Sequence, residues 1–246
     1  MIKSKTKAFT LAEVLVTLMI IGVISALTIP TLKETADRSA NLAALQKAYS
    51  TASNAFAALK AEYGATMYWT IPNDAKGLSN NSLIGTRVFA DNQEEAFSWM
   101  LRSKLNVVKT RNITPSGYQI KTLSGTKFDG KINDINVALT PQSPVIMFQS
   151  ADNMFWFPSQ TNAGCQKRAT AADGSTIYIC AYIVVDTNGA KEPNRMGVDV
   201  FVFDVTSDGV IPHVGSDDCK DMSGNGYTCS AKLINGDEHA LDFIYE

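Results

Sequence analysis

Four cysteines, Cys165, Cys180, Cys219 and Cys229, fall in the last third of the 246-residue chain. The gaps between them are too long for paired CxxC ligands, and the only histidines, His213 and His239, stand 26 positions apart. The spacing of a zinc site is therefore absent. The cysteines read either as buried free thiols or as disulfides formed in an oxidising compartment. More than one pairing is open, and the shortest loops join Cys165 to Cys180 and Cys219 to Cys229. No GxSxG, HExxH, Walker A or glycine-rich dinucleotide loop occurs. His213, in GVIPHVGSDD, and His239, in GDEHALDF, have no partner pattern and read as surface or strand-end residues. Trp69, Trp99 and Trp156 read as core or subunit-contact residues, with a glycan or adhesin platform as the alternative. The sequence offers no catalytic constellation, so an enzyme is not expected.

One carboxylate stands out by its neighbours. Glu13 heads an apolar run, and from Val14 to Leu32 no residue is charged. That run is long enough, as a helix, to cross a hydrocarbon core of about 30 Å. Lys3, Lys5 and Lys7 precede it. By the positive-inside tendency this end stays cytoplasmic and the rest of the chain, with all four cysteines, lies outside. A cleaved signal peptide fits poorly, because the run is long and Ile24-Ser25-Ala26 is a poor A-x-A site. An ordinary signal anchor fits the length, and a carboxylate at the membrane edge can snorkel. That reading gives Glu13 no purpose.

The basic leader, the small residue Ala8, then Phe9-Thr10-Leu11-Ala12-Glu13 and a long apolar helix resemble the prepilin cleavage and methylation signal of type IV pilins and type II secretion pseudopilins. The resemblance implies cleavage by a prepilin peptidase between Ala8 and Phe9, N-methylation of Phe9, and a role for Glu13 in assembly. It departs from the family at Ala8, where glycine is usual; alanine is the next smallest side chain, so processing is expected to survive. Gly22 and Pro30 stand at distances along the helix where family members commonly carry them. Pro30 alone also reads as a residue leaving the membrane, since proline removes a backbone hydrogen bond. On a helix, Glu13 shares a face with Phe9, four residues earlier. The amine created at Phe9 could then neutralise the carboxylate of a neighbouring subunit, making a costly buried charge acceptable.

The elements that position these residues follow from periodicity. After Lys33, apolar residues recur at Leu42, Leu45, Tyr49, Ala52, Phe56, Leu59 and Tyr63, in steps of three and four. The helix is expected to run from Phe9 to Tyr63, roughly 80 Å at about 1.5 Å per residue. DNQEEAFSWMLRSKLN, residues 91–106, reads as a second helix capped by Asp91. Strand-like runs follow: SGYQIKTL, SPVIMFQS, NMFWFPS, STIYICAYIVVD, GVDVFVFDV, DGVIPHV, and a last pair near GYTCSAKLI and HALDFIYE. The expected fold is α+β and pilin-like, a long N-terminal α-helix packed on a mainly antiparallel β-sheet head. Its expected organisation is a leader at 1–8, a transmembrane helix half at 9–32, an amphipathic half at 33–64 and an extracytoplasmic head at 65–246.

Within the head, VVDTNGAKEPNRMGVDVFVFDV joins two apolar strands through Asp186, Asn188, Asn194 and Asp199. It resembles a strand-loop-strand segment of pseudopilin-like proteins, some of which hold calcium there, and its oxygen donors at Asp186, Asn188 and Asp199 are of the type a hard cation takes. The spacing is not that of an EF-hand, and Asn188-Gly189 is an adequate turn unaided. Calcium and a plain structured connection are both open at this point. CKDMSGNGYTC reads as a disulfide-closed loop, exposed in pilins, or as a simple staple. The formal net charge of −2 gives no sign of a nucleic-acid partner.

The resemblance thus implies a structural subunit of a type IV pilus or type II secretion pseudopilus, in the bacterial inner membrane before assembly and in a periplasmic or cell-surface filament afterwards. Its partners would be the prepilin peptidase, other pilin or pseudopilin subunits and the inner membrane. The competing expectation is a membrane-anchored extracytoplasmic binding protein that does not polymerise.

Overall fold

The computed structural model describes residues 9–63, 101–111, 118–129, 131–132, 135–136, 147–160, 167–171, 174–215 and 218–245. The leader with Ala8, Trp69, Trp99, Cys165 and residues 91–100 of the expected second helix lie outside them; residues 101–104 are helical. The chain divides into two compact units, Met1–Ala40 and Asn41–Glu246.

Helix α1 is continuous over Leu11–Tyr63, 53 residues, and runs through Pro30 without a break. In the first unit the side chains of Leu11–Ile29 are exposed almost throughout. In the second unit α1 buries one stripe, Leu45, Ala48, Ala52, Ala55, Phe56 and Leu59, with Leu42 and Tyr49 half-buried beside it. The small residues Ala48, Ala52 and Ala55 leave room for the helix to lie close to what it covers, while Tyr49 tilts its ring against Phe203 at 5.6 Å and donates its hydroxyl to the Val210 carbonyl at 3.2 Å.

What it covers is an antiparallel sheet in the order β1-β4-β5-β7-β8-β9, formed by β1 (Val107–Arg111), β4 (Met147–Ser150), β5 (Phe155–Gln160), β7 (Thr176–Asp186), β8 (Val200–Thr206) and β9 (Val210–Pro212), with β6 (Lys167–Thr170) paired to the first part of β7. A separate pair, β2 (Lys131–Ile132) and β3 (Ile135–Asn136), stands apart from it. The central strands are buried on both faces, which is why ICAYIVV and VFVFDVT read as nearly unbroken apolar runs rather than alternating ones. Trp156, Ala181, Ile183, Val185, Phe201, Phe203 and Val205 belong to the cluster that includes the α1 stripe. Their alternates Phe155, Phe157, Tyr182, Val184, Val200 and Val202 form a second cluster with Ile120, Phe128 and Met196. Each such aliphatic or aromatic side chain contributes about 1.5–3 kcal/mol of burial.

The closing pair of strands expected at GYTCSAKLI and HALDFIYE is absent. Those segments form helices α2 (Cys229–Ile234) and α3 (Glu238–Tyr245). Asp237 caps α3, its Oδ1 accepting the Ala240 N–H at 3.1 Å, and the buried Ala240 and Ile244 share the face one turn apart. The expected strand SGYQIKTL likewise forms no strand over its described residues: Lys121 makes single bridges to Lys127 and Arg195 instead. This segment is the second layer on the sheet.

Candidate functional site

Two places hold the residues singled out above, one in each unit. In the first, α1 starts at Leu11, so Phe9 lies ahead of the helix and is 86% exposed. The expected helical start at Phe9 is displaced because Thr10 is the cap. The Thr10 carbonyl accepts the Val14 N–H at 3.3 Å, the first intrahelical bond. The Thr10 hydroxyl accepts the Glu13 N–H at 3.2 Å, while the Thr10 N–H and hydroxyl both donate to Glu13 Oε2 at 2.8 Å. This is a reciprocal capping box, and Thr10-Leu11-Ala12-Glu13 is its T-x-x-E signature. Thr10 is the capping residue that the sequence reading missed, although its signature was legible. Behind the box, Leu11–Ile29 is long and apolar enough to cross a membrane. Leu11, Leu15, Leu18, Met19, Ile20 and Leu27 are among its exposed side chains. An apolar surface of that extent calls for lipid or other apolar helices around it.

In the second unit, the β7–β8 connection gathers Asp186, Asn188, Asn194 and Asp199. The two aspartates are fully buried. Asp186 Oδ2 accepts the Tyr118 hydroxyl at 2.6 Å and Oδ1 accepts the Asn188 N–H at 3.1 Å. Asp199 Oδ1 accepts the Arg195 N–H at 2.6 Å, and Oδ2 accepts the Asn194 N–H at 2.9 Å and Asn188 Nδ2 at 3.0 Å. Burial pushes the Asp186 carboxyl up to about 8, against the pull of the Tyr118 and backbone hydrogen bonds. Burial also raises Asp199, its backbone and Asn188 donors working the other way.

The test for calcium is whether these oxygens are open to a cation. All four carboxylate oxygens already accept from O–H or N–H groups. The loop's other polar side chain is that of Asn194. With its amide nitrogen turned toward them, it donates to Gly189 O at 3.2 Å, Asp186 Oδ2 at 3.1 Å and Lys191 O at 3.1 Å. The opposite orientation sets its oxygen against acceptors and its nitrogen against donors. Turning the amide relieves both conflicts. Asn188 Oδ1, the remaining oxygen of the Asp186, Asn188 and Asp199 set, is buried without a hydrogen-bond partner. Among the described residues, no group of three or more His, Cys, Asp and Glu is placed to hold a metal.

Of the cysteines, Cys219 and Cys229 are bonded, with Cα atoms 5.1 Å apart, and Cys180 is also in a disulfide. His213 is not a surface residue: it is 2% exposed, its Nδ1 lies 2.6 Å from Asp204 Oδ1, and its ring meets Tyr182 and Tyr227 edge-on. Asp204 sits on β8 and Ser230 on α2, and the His213 N–H donates to Ser230 Oγ at 3.3 Å. With Ser230, this buried pair ties β8 to α2. Trp156 is a core residue, fully buried, its indole N–H donating to Ser150 Oγ at 3.0 Å.

Comparison with known families agrees with the first of the two places. Residues 3–29 match the family described as the prokaryotic N-terminal methylation motif. No curated protein and no solved structure matches the chain. The segment is thus a prepilin-type signal of the type IV pilin and pseudopilin kind, on an α+β fold.

Proposed function

We propose that the chain is the precursor of a structural subunit of a type IV pilus or a type II secretion pseudopilus, cut between Ala8 and Phe9 by a prepilin peptidase, methylated at Phe9 and assembled through α1. The observation that carries this reading is the coincidence, in one segment, of the methylation motif at residues 3–29 and an exposed apolar helix over Leu11–Ile29. Before assembly that helix belongs in the inner membrane; afterwards the same surface packs against other subunits in a periplasmic or cell-surface filament.

The capping box gives Glu13 a state before and after assembly. In the single chain its Oε2 is held by Thr10. A charge so placed is partly compensated within its own chain while the helix sits in lipid. Cleavage leaves Thr10 intact and creates an amine one residue ahead of it, a further donor available to Glu13 of a neighbouring subunit. Pairing across subunits would then fix the axial register. The test is Glu13→Ala in a strain that builds the filament, followed by filament shearing and detection of the subunit. Incorporation should be lost while the full-length protein persists in the membrane with its head folded; unchanged incorporation would contradict the role given to Glu13.

A further inference from the structure

The β7–β8 loop buries two carboxylates with no basic side chain to balance them. Asp186 and Asp199 are both fully buried, and among the described residues neither forms an ion pair. The charge of Asp199 also works against that of Asp186. Two buried negative groups in one loop are costly unless a positive centre joins them.

The oxygens beside them converge on one point. The side-chain oxygen of Asn194, a residue 3% exposed, stands 3.1 Å from Asp186 Oδ2, 3.2 Å from the Gly189 carbonyl oxygen and 3.1 Å from that of Lys191. With Asp186 ionised, none of these four oxygens has a hydrogen to give another. Oxygens that share one calcium ion at about 2.3–2.6 Å lie about 3 Å from their neighbours, which is the spacing found here. Turning the Asn194 amide would supply hydrogens at that point. It would leave Asn188 Oδ1 buried without a partner in the same loop, and both carboxylates still without a positive charge.

We propose that the β7–β8 loop binds a calcium ion through Asp186 Oδ2, Asn194 Oδ1 and the Gly189 and Lys191 carbonyl oxygens, with Asp199 bracing the ligands rather than joining them. Asp199 Oδ2 accepts the Asn194 N–H at 2.9 Å and Asn188 Nδ2 at 3.0 Å, and Oδ1 accepts the Arg195 N–H at 2.6 Å. It thus fixes the segment that carries Asn194 and adds its charge to the site. The Tyr118 hydroxyl on Asp186 Oδ2 is compatible with ligation, because a carboxylate oxygen has more than one lone pair. Two of the four ligands are backbone carbonyls on an irregular loop, a set that calcium accepts more readily than magnesium, which demands near-octahedral geometry. The same loop carries the second layer on the sheet: the Lys121 N–H donates to the Asn194 carbonyl at 2.8 Å and the Met196 N–H to the Lys121 carbonyl at 2.9 Å. Filling the site therefore fastens that layer to the ends of β7 and β8.

The experiment is thermal unfolding of the full-length protein in detergent micelles, followed by near-ultraviolet circular dichroism, in EDTA and in millimolar calcium chloride. A native-state site filled at a hundred times its Kd raises the midpoint by roughly 5 °C or more, and a rise of that order is expected. Equal midpoints would overturn the proposal and leave the turned amide as the account of the loop. Asp186→Asn keeps an acceptor for Tyr118 and removes the charged ligand, so its calcium-dependent rise should be lost; a full rise in this variant would overturn the assignment. Terbium luminescence reads the same site without any substitution. Tyr118, whose hydroxyl lies 2.6 Å from Asp186 Oδ2, is placed to sensitise terbium bound there. Tyrosine-sensitised emission that calcium displaces is expected, and its absence would count against the site.

Discussion

Gly197 shows how little freedom the packing leaves at single positions. It holds φ at +81°, and a Cβ there would stand 2.7 Å from Cys229 Sγ and 3.0 Å from its Cβ. Both the backbone region and the space require glycine, because the strand start at β8 passes directly beside the disulfide. Gly197→Ala is expected to lower stability by about 2–4 kcal/mol, the sum of a left-handed backbone and an overpacked contact. Urea unfolding would show it as a lower midpoint at unchanged slope. At the same scale the functional residues divide sharply in how legible they were. Glu13 announced itself by sitting uncharacteristically at the head of an apolar run, and Thr10 was readable three positions before it as the first letter of T-x-x-E. For Asp186 and Asp199 the sequence shows oxygen donors but not the N–H and O–H groups that hydrogen-bond to them. Only the folded loop puts Tyr118, Asn194 and Arg195 on those oxygens.

At the scale of elements, periodicity served where it was long and failed where it was short. The stripe Leu45 to Leu59 on α1 repeats over four turns and is buried as its spacing requires. The apolar runs of β7 and β8 were recognisable as strands, though a run buried on both faces conceals which layer covers the second one. β6, with the polar sequence Lys167-Arg168-Ala169-Thr170 and half its side chains exposed, carried no apolar signal at all. At the end of the chain, HALDFIYE fits an alternating strand over a few residues as well as a helix. The deciding feature was local: Gly236-Asp237 ends one helix and caps the next. Asp237→Ala should therefore cost about 1 kcal/mol, while Asp237→Asn, which keeps an acceptor at the cap, should be nearly neutral. Equilibrium unfolding of the pair would separate the cap from the charge.

At the scale of the whole molecule, the account rests on an exposed apolar helix that has no use in water and on the motif written over its beginning. The head contributes a sheet buried on both faces, a hydrogen-bonded loop between β7 and β8 and a disulfide near its end. Such a head suits a subunit that must stay folded while its helix moves from lipid into an assembly. The central claim is the processing event that permits this move, and it is tested most directly by mass spectrometry of the N-terminal peptide of the protein recovered from cells with an active prepilin peptidase. The account predicts a peptide beginning at Phe9 and carrying one methyl group on its amine. An intact Met1, or a terminus created after Ala26, would contradict it.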